Sequence, residues 1–210
     1  MPDDEPGFEA RAADRLIFFS DAVVAIAITL LAIDLPVPAG HTVPEFWSSV
    51  RHNDGSYAAF LISFMVIAAS WSHHHDVFRY VQRVDSRLRT FDVAWLLMIV
   101  LTPFATKLLT ANEHDTVGAH ALRFGFYALL QVLASAALLA MAHRMMSHHL
   151  QAPDAPLAGS DEDWQSYGLM LGFGLSIPVF FITTYAWLLW VLVPLLVAQA
   201  RRLQRRDHHG

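Results

Sequence analysis

The chain has no cysteine, which removes disulfides, thiol nucleophiles and cysteine-based metal sites. It also lacks a G-x-S-x-G elbow, an H-E-x-x-H pair and a Gly-rich phosphate loop following a strand, so no hydrolase or nucleotide-binding signature is present. The T-V-G-Y-G loop that builds carbonyl-lined ion filters is missing too, so if ions pass, helix side chains must do the selecting. The opening "MPDDEPGFEARAAD" is acidic and polar rather than basic, unlike a secretory leader, and the apolar run after it exceeds a signal core. The first helix is therefore expected to be retained. No internal repeat is convincing, so the chain reads as one unit.

What is present is hydrophobic sequence in long runs. Of 210 residues, 55% are hydrophobic, and the mean hydropathy of +0.38 exceeds what a soluble core requires. A hydrocarbon layer of roughly 30 Å needs about 20 helical residues. Segments 16–35, 57–78, 90–110, 117–143, 166–182 and 184–201 meet that need; the last two are divided only by "TTY". Between the first two lies a proline-rich polar stretch whose middle, "PEFWSSV", would suit a short interfacial helix. "SHHLQAPDAPLAGSDEDW" is expected to be a flexible polar loop.

The net charge of -5 says less than where the arginines sit, because positively charged short loops stay in the cytoplasm. With the N-terminus inside, Arg11, Arg15, Arg79, Arg83, Arg87, Arg89, Arg144 and the tail arginines share one side, and Arg51, Lys107 and Arg123 fall on or near the other. An even number of spans with both termini cytoplasmic satisfies this distribution. The tail "ARRLQRRDHHG" then anchors the last helix.

The first helix resolves into faces. At 100° per residue, Phe19, Val23, Ile26, Leu30 and Ile33 share one large aliphatic stripe, with Thr29 on its margin. Asp21 lies about 140° around the helix from Ile26, and Ser20 is also well off the stripe. An ionisable group in the bilayer normally faces the bundle and finds a partner, and Arg15 is placed to answer Asp21 directly or across helices. Such a node is either a structural bracket or the support of a transport path on the other face. The stripe, in turn, reads equally as core packing.

A second polar cluster, "WSHHHDVF" (71–78), ends the second helix. Three consecutive histidines diverge by 100° each, so they do not form a compact tri-histidine metal centre. Histidine boxes of membrane di-iron enzymes need several spaced clusters. One histidine bonded to the Ser20/Asp21 node is the economical assignment, and Asp92 on the third helix is a further candidate member.

At these residues the chain resembles the transmembrane protein 175 family of potassium channels. "RLIFFSD" fits the family's R-x-x-x-F-S-D signature, "SFMVIAASWSHHHDVF" its W-x-x-H-H-x-x-F pattern, and "LLMIVLTPFATKLL" its third-helix segment. The resemblance covers residues 15–110. It implies an all-α integral membrane protein with six transmembrane helices per subunit, assembled as a homotetramer with the first helix lining a central pore. It implies Ile26 as the narrowest ring, Leu30 and Ile33 towards the outside, and Thr29 offering hydroxyl oxygens beside the constriction. The supporting polar network it implies is Arg15, Phe19, Ser20, Asp21, Trp71 and His74. Asp92 stands where the family usually has asparagine, and two carboxylates in one network repel, so one is expected to be protonated or answered by Arg15 or a charged His74.

The expectation is a potassium-selective cation channel of a bacterial inner membrane, not an enzyme. It would comprise a cytoplasmic segment 1–14, a channel domain 15–203 and a cytoplasmic tail 204–210. Its partners would be its own copies, lipid and monovalent cations, with no nucleic acid. It would need no cofactor or metal, and potassium would be the permeant ion. A secondary transporter or exporter of a small solute is the competing reading, since transporters also use intramembrane carboxylates and histidines. A membrane metalloenzyme stands third.

Overall fold

The computed structural model describes residues 6–111 and 116–150, with two isolated positions, 172 and 199. Its elements are α1 (Pro6–Ile33), α2 (Val43–His52), α3 (Asp54–Phe78), α4 (Ser86–Thr110) and α5 (Val117–Ser147). Among the described residues, four helices are long and apolar enough to cross a membrane, over Arg11–Ile33, Asp54–Phe78, Ser86–Thr110 and Gly118–Ser147. These match the first four expected segments. The segments at 166–182 and 184–201 lie outside the described residues.

Local chemistry sets the helix ends. Pro6 opens α1 at a position where its missing N–H is no loss, and residues 6–14 of the acidic segment continue into the first span without a break. Beyond Ile33, Pro36 and Pro38 prevent continuation. Asp85 caps α4 by accepting from the Leu88 N–H at 2.7 Å, and Thr116 caps α5 by accepting from Ala119 at 3.4 Å. Each oxygen satisfies an amide that has no helical partner.

The stretch "PEFWSSV" is helical, within α2, which is started by a reciprocal capping box between Thr42 and Glu45. The His41 N–H donates to Glu45 Oε2 at 2.8 Å, and this bond foremost holds the Glu45 carboxyl below its usual range. Gly40 precedes it at φ +142°, where a Cβ would stand 2.7 Å from the Phe46 nitrogen. Only glycine fits that turn.

α4 is central and packs against α1, α3 and α5. One apolar core joins Val24, Ala27 and Leu31 of α1 to Ile67 and Phe78 of α3, Trp95 and Ile99 of α4, and Leu138 and Met141 of α5. A second lies between α4 and α5, around Ala105, Phe124 and Tyr127. Because lipid is as apolar as leucine, close packing and interhelical hydrogen bonds must hold such a bundle together. Fully buried Ala27 lets α1 approach its neighbours closely.

Candidate pore helix and its polar brackets

α1 has two distinct long faces. Ala13, Ser20, Val24, Ala27 and Leu31 are buried, and their 7-4-3-4 spacing makes one helical stripe. Phe19, Ile26, Leu30 and Ile33 form another, centred about 120° away, and there Ile26 is 59% and Ile33 78% exposed. Among the described residues nothing encloses this second stripe. Thr29 lies at its margin, exposed, and its hydroxyl donates to the Ile26 carbonyl at 2.8 Å. The lone pairs of that oxygen stay available on the open face.

The buried stripe carries the polar node. Ser20, His74 and Asp92 are all essentially inaccessible, and they come from α1, α3 and α4. The Ser20 hydroxyl donates to Asp92 Oδ2 at 2.9 Å, with the Leu16 carbonyl a second acceptor at 3.0 Å. His74 Nε2 lies 2.7 Å from Asp92 Oδ1. His74 Nδ1 is buried with no hydrogen-bond partner, so a proton there would be stranded. The bonding pattern therefore assigns the neutral Nε2–H tautomer, donating to the carboxyl. The imidazole is clamped between the rings of Phe78 and Trp95, at 4.3 and 4.2 Å between centroids. Trp95 is fixed in turn by donating to Ser70 Oγ at 3.0 Å.

Asp21 takes no part in that node. It is half-buried and accepts from the indole N–H of Trp71 at 2.8 Å. Adjacent residues of α1 thus make separate brackets: Ser20 to α4 and onward to α3, and Asp21 to α3 directly. The two carboxyl groups have different partners, which removes the need for a shared counter-ion.

Arg15 does not supply one. It is exposed and pairs with neither aspartate, because its helical angle places it about 20° from Ile26, on the open stripe. Phe19 is exposed on that same stripe rather than inside the node. The three histidines separate, with His73 and His74 buried and His75 exposed. Among the described residues, no cluster of three or more His, Cys, Asp or Glu side chains is placed to hold a metal ion.

Three further polar contacts carry no sequence signal. Thr106 donates to Ser63 Oγ at 2.7 Å, Ser63 is 3.1 Å from the Tyr127 hydroxyl, and Gln131 donates to Thr102 at 3.2 Å. These hydroxyls lace α3, α4 and α5 where the sequence shows only an apolar run. At the far end of α1, Lys107 of α4 bonds Asp34 at 2.7 Å.

The family described as "endosomal/lysosomal potassium channel TMEM175" matches residues 15–103, the stretch holding the open stripe and both brackets. A potassium channel of Streptomyces collinus is 34% identical over 172 residues, spanning 80% of this chain and 82% of its own. The chain belongs to the TMEM175 family. A potassium channel of Chamaesiphon minutus is 38% identical over 104 residues, 48% of this chain and 51% of its own. The crystal structure of a lysosomal potassium-selective channel TMEM175 homolog from Chamaesiphon minutus superposes with a TM-score of 0.69 at 26% identity, covering 91% of this chain and 98% of that one. The TMEM175 family is one of ion channels rather than enzymes.

Proposed function

We propose that the chain is one subunit of a potassium-selective cation channel, in which four copies arrange the open stripe of α1 around a central axis. One observation carries the reading: α1 buries one face in its own subunit and leaves Phe19, Ile26, Leu30 and Ile33 uncovered. A bundle that needed these residues for its own core would have enclosed them. The relatives named as potassium channels, from Streptomyces collinus and Chamaesiphon minutus, support the ion assigned.

Ile26 lies about 15 Å along the helix from residue 16, near mid-membrane. A ring of isoleucines at that depth closes a path sterically or by dewetting, and an ion crossing it sheds part of its water. Potassium sheds water at lower cost than sodium, which favours potassium. Ser20, Asp21, Trp71, His74 and Asp92 are positioning residues in this scheme; they fix the rotation of α1 and so the aim of Ile26. No cofactor or metal enters it. In this reading the assembly sits in a bacterial inner membrane, and the arginine distribution supports an orientation with both termini cytoplasmic.

Purified full-length protein in liposomes is expected to pass potassium faster than sodium and to run as a tetramer in mild detergent. Ile26→Asn, at an exposed position that folding does not need, is expected to raise conductance and weaken the preference for potassium. Unchanged conductance and selectivity in that variant, or a monomeric or dimeric particle, refutes the pore assignment.

A further inference from the structure

α2 has no buried residue, yet it is strongly sided. Val43, Phe46, Trp47 and Val50 follow the i, i+3, i+4, i+7 pattern of one face, and Val43 is 72% and Trp47 53% exposed. Its orientation is nonetheless fixed. The Ala39 N–H donates to Ser49 Oγ at 3.0 Å, Asn53 Nδ2 to the Ser49 carbonyl at 2.8 Å, and the Tyr57 hydroxyl to the Pro36 carbonyl at 2.8 Å. Ser49 and the capping residue Glu45 both project from the polar side of α2, so the bonds that pin the helix leave Val43, Phe46 and Trp47 of its apolar side exposed, with Val50 partly covered.

We infer that α2 is a membrane-surface anchor: its Val43, Phe46, Trp47 and Val50 face seats in the boundary between lipid headgroups and acyl chains, on the side of the bilayer where α1 ends and α3 begins. Position supports this occupant. α2 lies between the end of one span at Ile33 and the start of the next at Asp54, hence at the bilayer edge. Ten residues, about 15 Å of helix, are too few to cross. Trp47, with its apolar ring and an indole N–H bonded to nothing among the described residues, is a side chain that partitions to this layer. Arg51 and His52 in the last turn lie within reach of headgroup phosphates. The role of the anchor is to set the height of the α1 terminus in the membrane.

The native chain has no cysteine, so each introduced cysteine is a unique spin-label position. Labels at residues 43, 46, 47, 48, 50 and 52, one per full-length variant in phosphatidylcholine/phosphatidylglycerol liposomes, are read by collision with oxygen, which concentrates in lipid, and with a water-soluble nickel chelate. The expected result is high oxygen and low nickel collision at 43, 46, 47 and 50, with the reverse at Ser48→Cys and His52→Cys. High nickel collision at every position places the face in water and overturns the inference. Low collision with both reagents and spin–spin broadening between labels shows that a second copy covers the face, and overturns it equally. The four stripe positions report independently, so a single variant that fails to insert does not remove the test.

Discussion

Replacing Asp92 by alanine and by asparagine separates the hydrogen bonds of the three-helix node from the charge it carries. In Asp92→Ala, Ser20 falls back on the Leu16 carbonyl, already 3.0 Å away, so that loss is about 0.6 kcal/mol, typical of an interhelical bond in a membrane protein. His74 has no such reserve. Its Nε2–H is left unpaired in a site that is 1% accessible, between two rings that prevent it from turning, which costs about 1–3 kcal/mol. The sum is about 1.6–3.6 kcal/mol, or about 3–14 °C in melting temperature for a chain of this size. Asp92→Asn has a complete solution instead. The amide oxygen accepts from His74, the amide nitrogen donates to Ser20, and the serine proton turns to Leu16, so the loss stays under about 1 kcal/mol. Thermal unfolding of the full-length protein in detergent, followed by tryptophan fluorescence, distinguishes the two. If the asparagine variant melts as low as the alanine variant, charge rather than the bond pattern holds the node, and the tautomer assigned to His74 is wrong.

Trp71→Phe removes the donor to Asp21, but that carboxyl is only half-buried and water can replace the bond; a loss of roughly 1 kcal/mol or less is expected in the same assay, well short of Asp92→Ala. Burial raises the Asp85 carboxyl, but the Leu88 N–H and the Arg144 guanidinium outweigh it and hold the group below its usual range. The folded chain therefore binds fewer protons here, so Asp85 contributes stability at neutral pH that is lost as the pH falls below about 4. Asp85→Asn should lower the melting temperature at pH 7 and flatten its decline in acid; an equal decline in both proteins contradicts this. Gly40→Ala places a methyl group against the Phe46 nitrogen and should speed amide hydrogen exchange across residues 40–47 while leaving α3 to α5 protected.

The two faces of α1 were legible in the sequence because helical geometry alone separates Ser20 and Asp21 from Ile26. The same geometry places Arg15 at the helical angle of Ile33, on the open stripe, so attraction between opposite charges nearby in sequence was a poor guide to pairing. Asp92 could be named as a candidate member, whereas its bond to Ser20 could not, since periodicity gives directions and not partners. The hydroxyl chain through Ser63, Thr106 and Tyr127 left no trace, because isolated small polar residues in an apolar run resemble self-bonded helix residues. The Asp34 to Lys107 contact joins positions 73 residues apart, beyond any local pattern. The start of α1 at Pro6 was marked only by that proline, against a run of acidic residues that reads as solvated chain.

Between Asp21 and Asp34, about 20 Å of α1, no side chain among the described residues bonds to another helix. Contact there rests chiefly on Val24, Ala27 and Leu31, which slide without breaking anything polar. The helix thus resembles a bar fixed at both ends and compliant in the middle, with Ile26 in the compliant part. In the proposed ring of copies, an outward bow of the bar would widen the opening by twice that displacement, so a fraction of an ångström of van der Waals give would become a larger change in aperture.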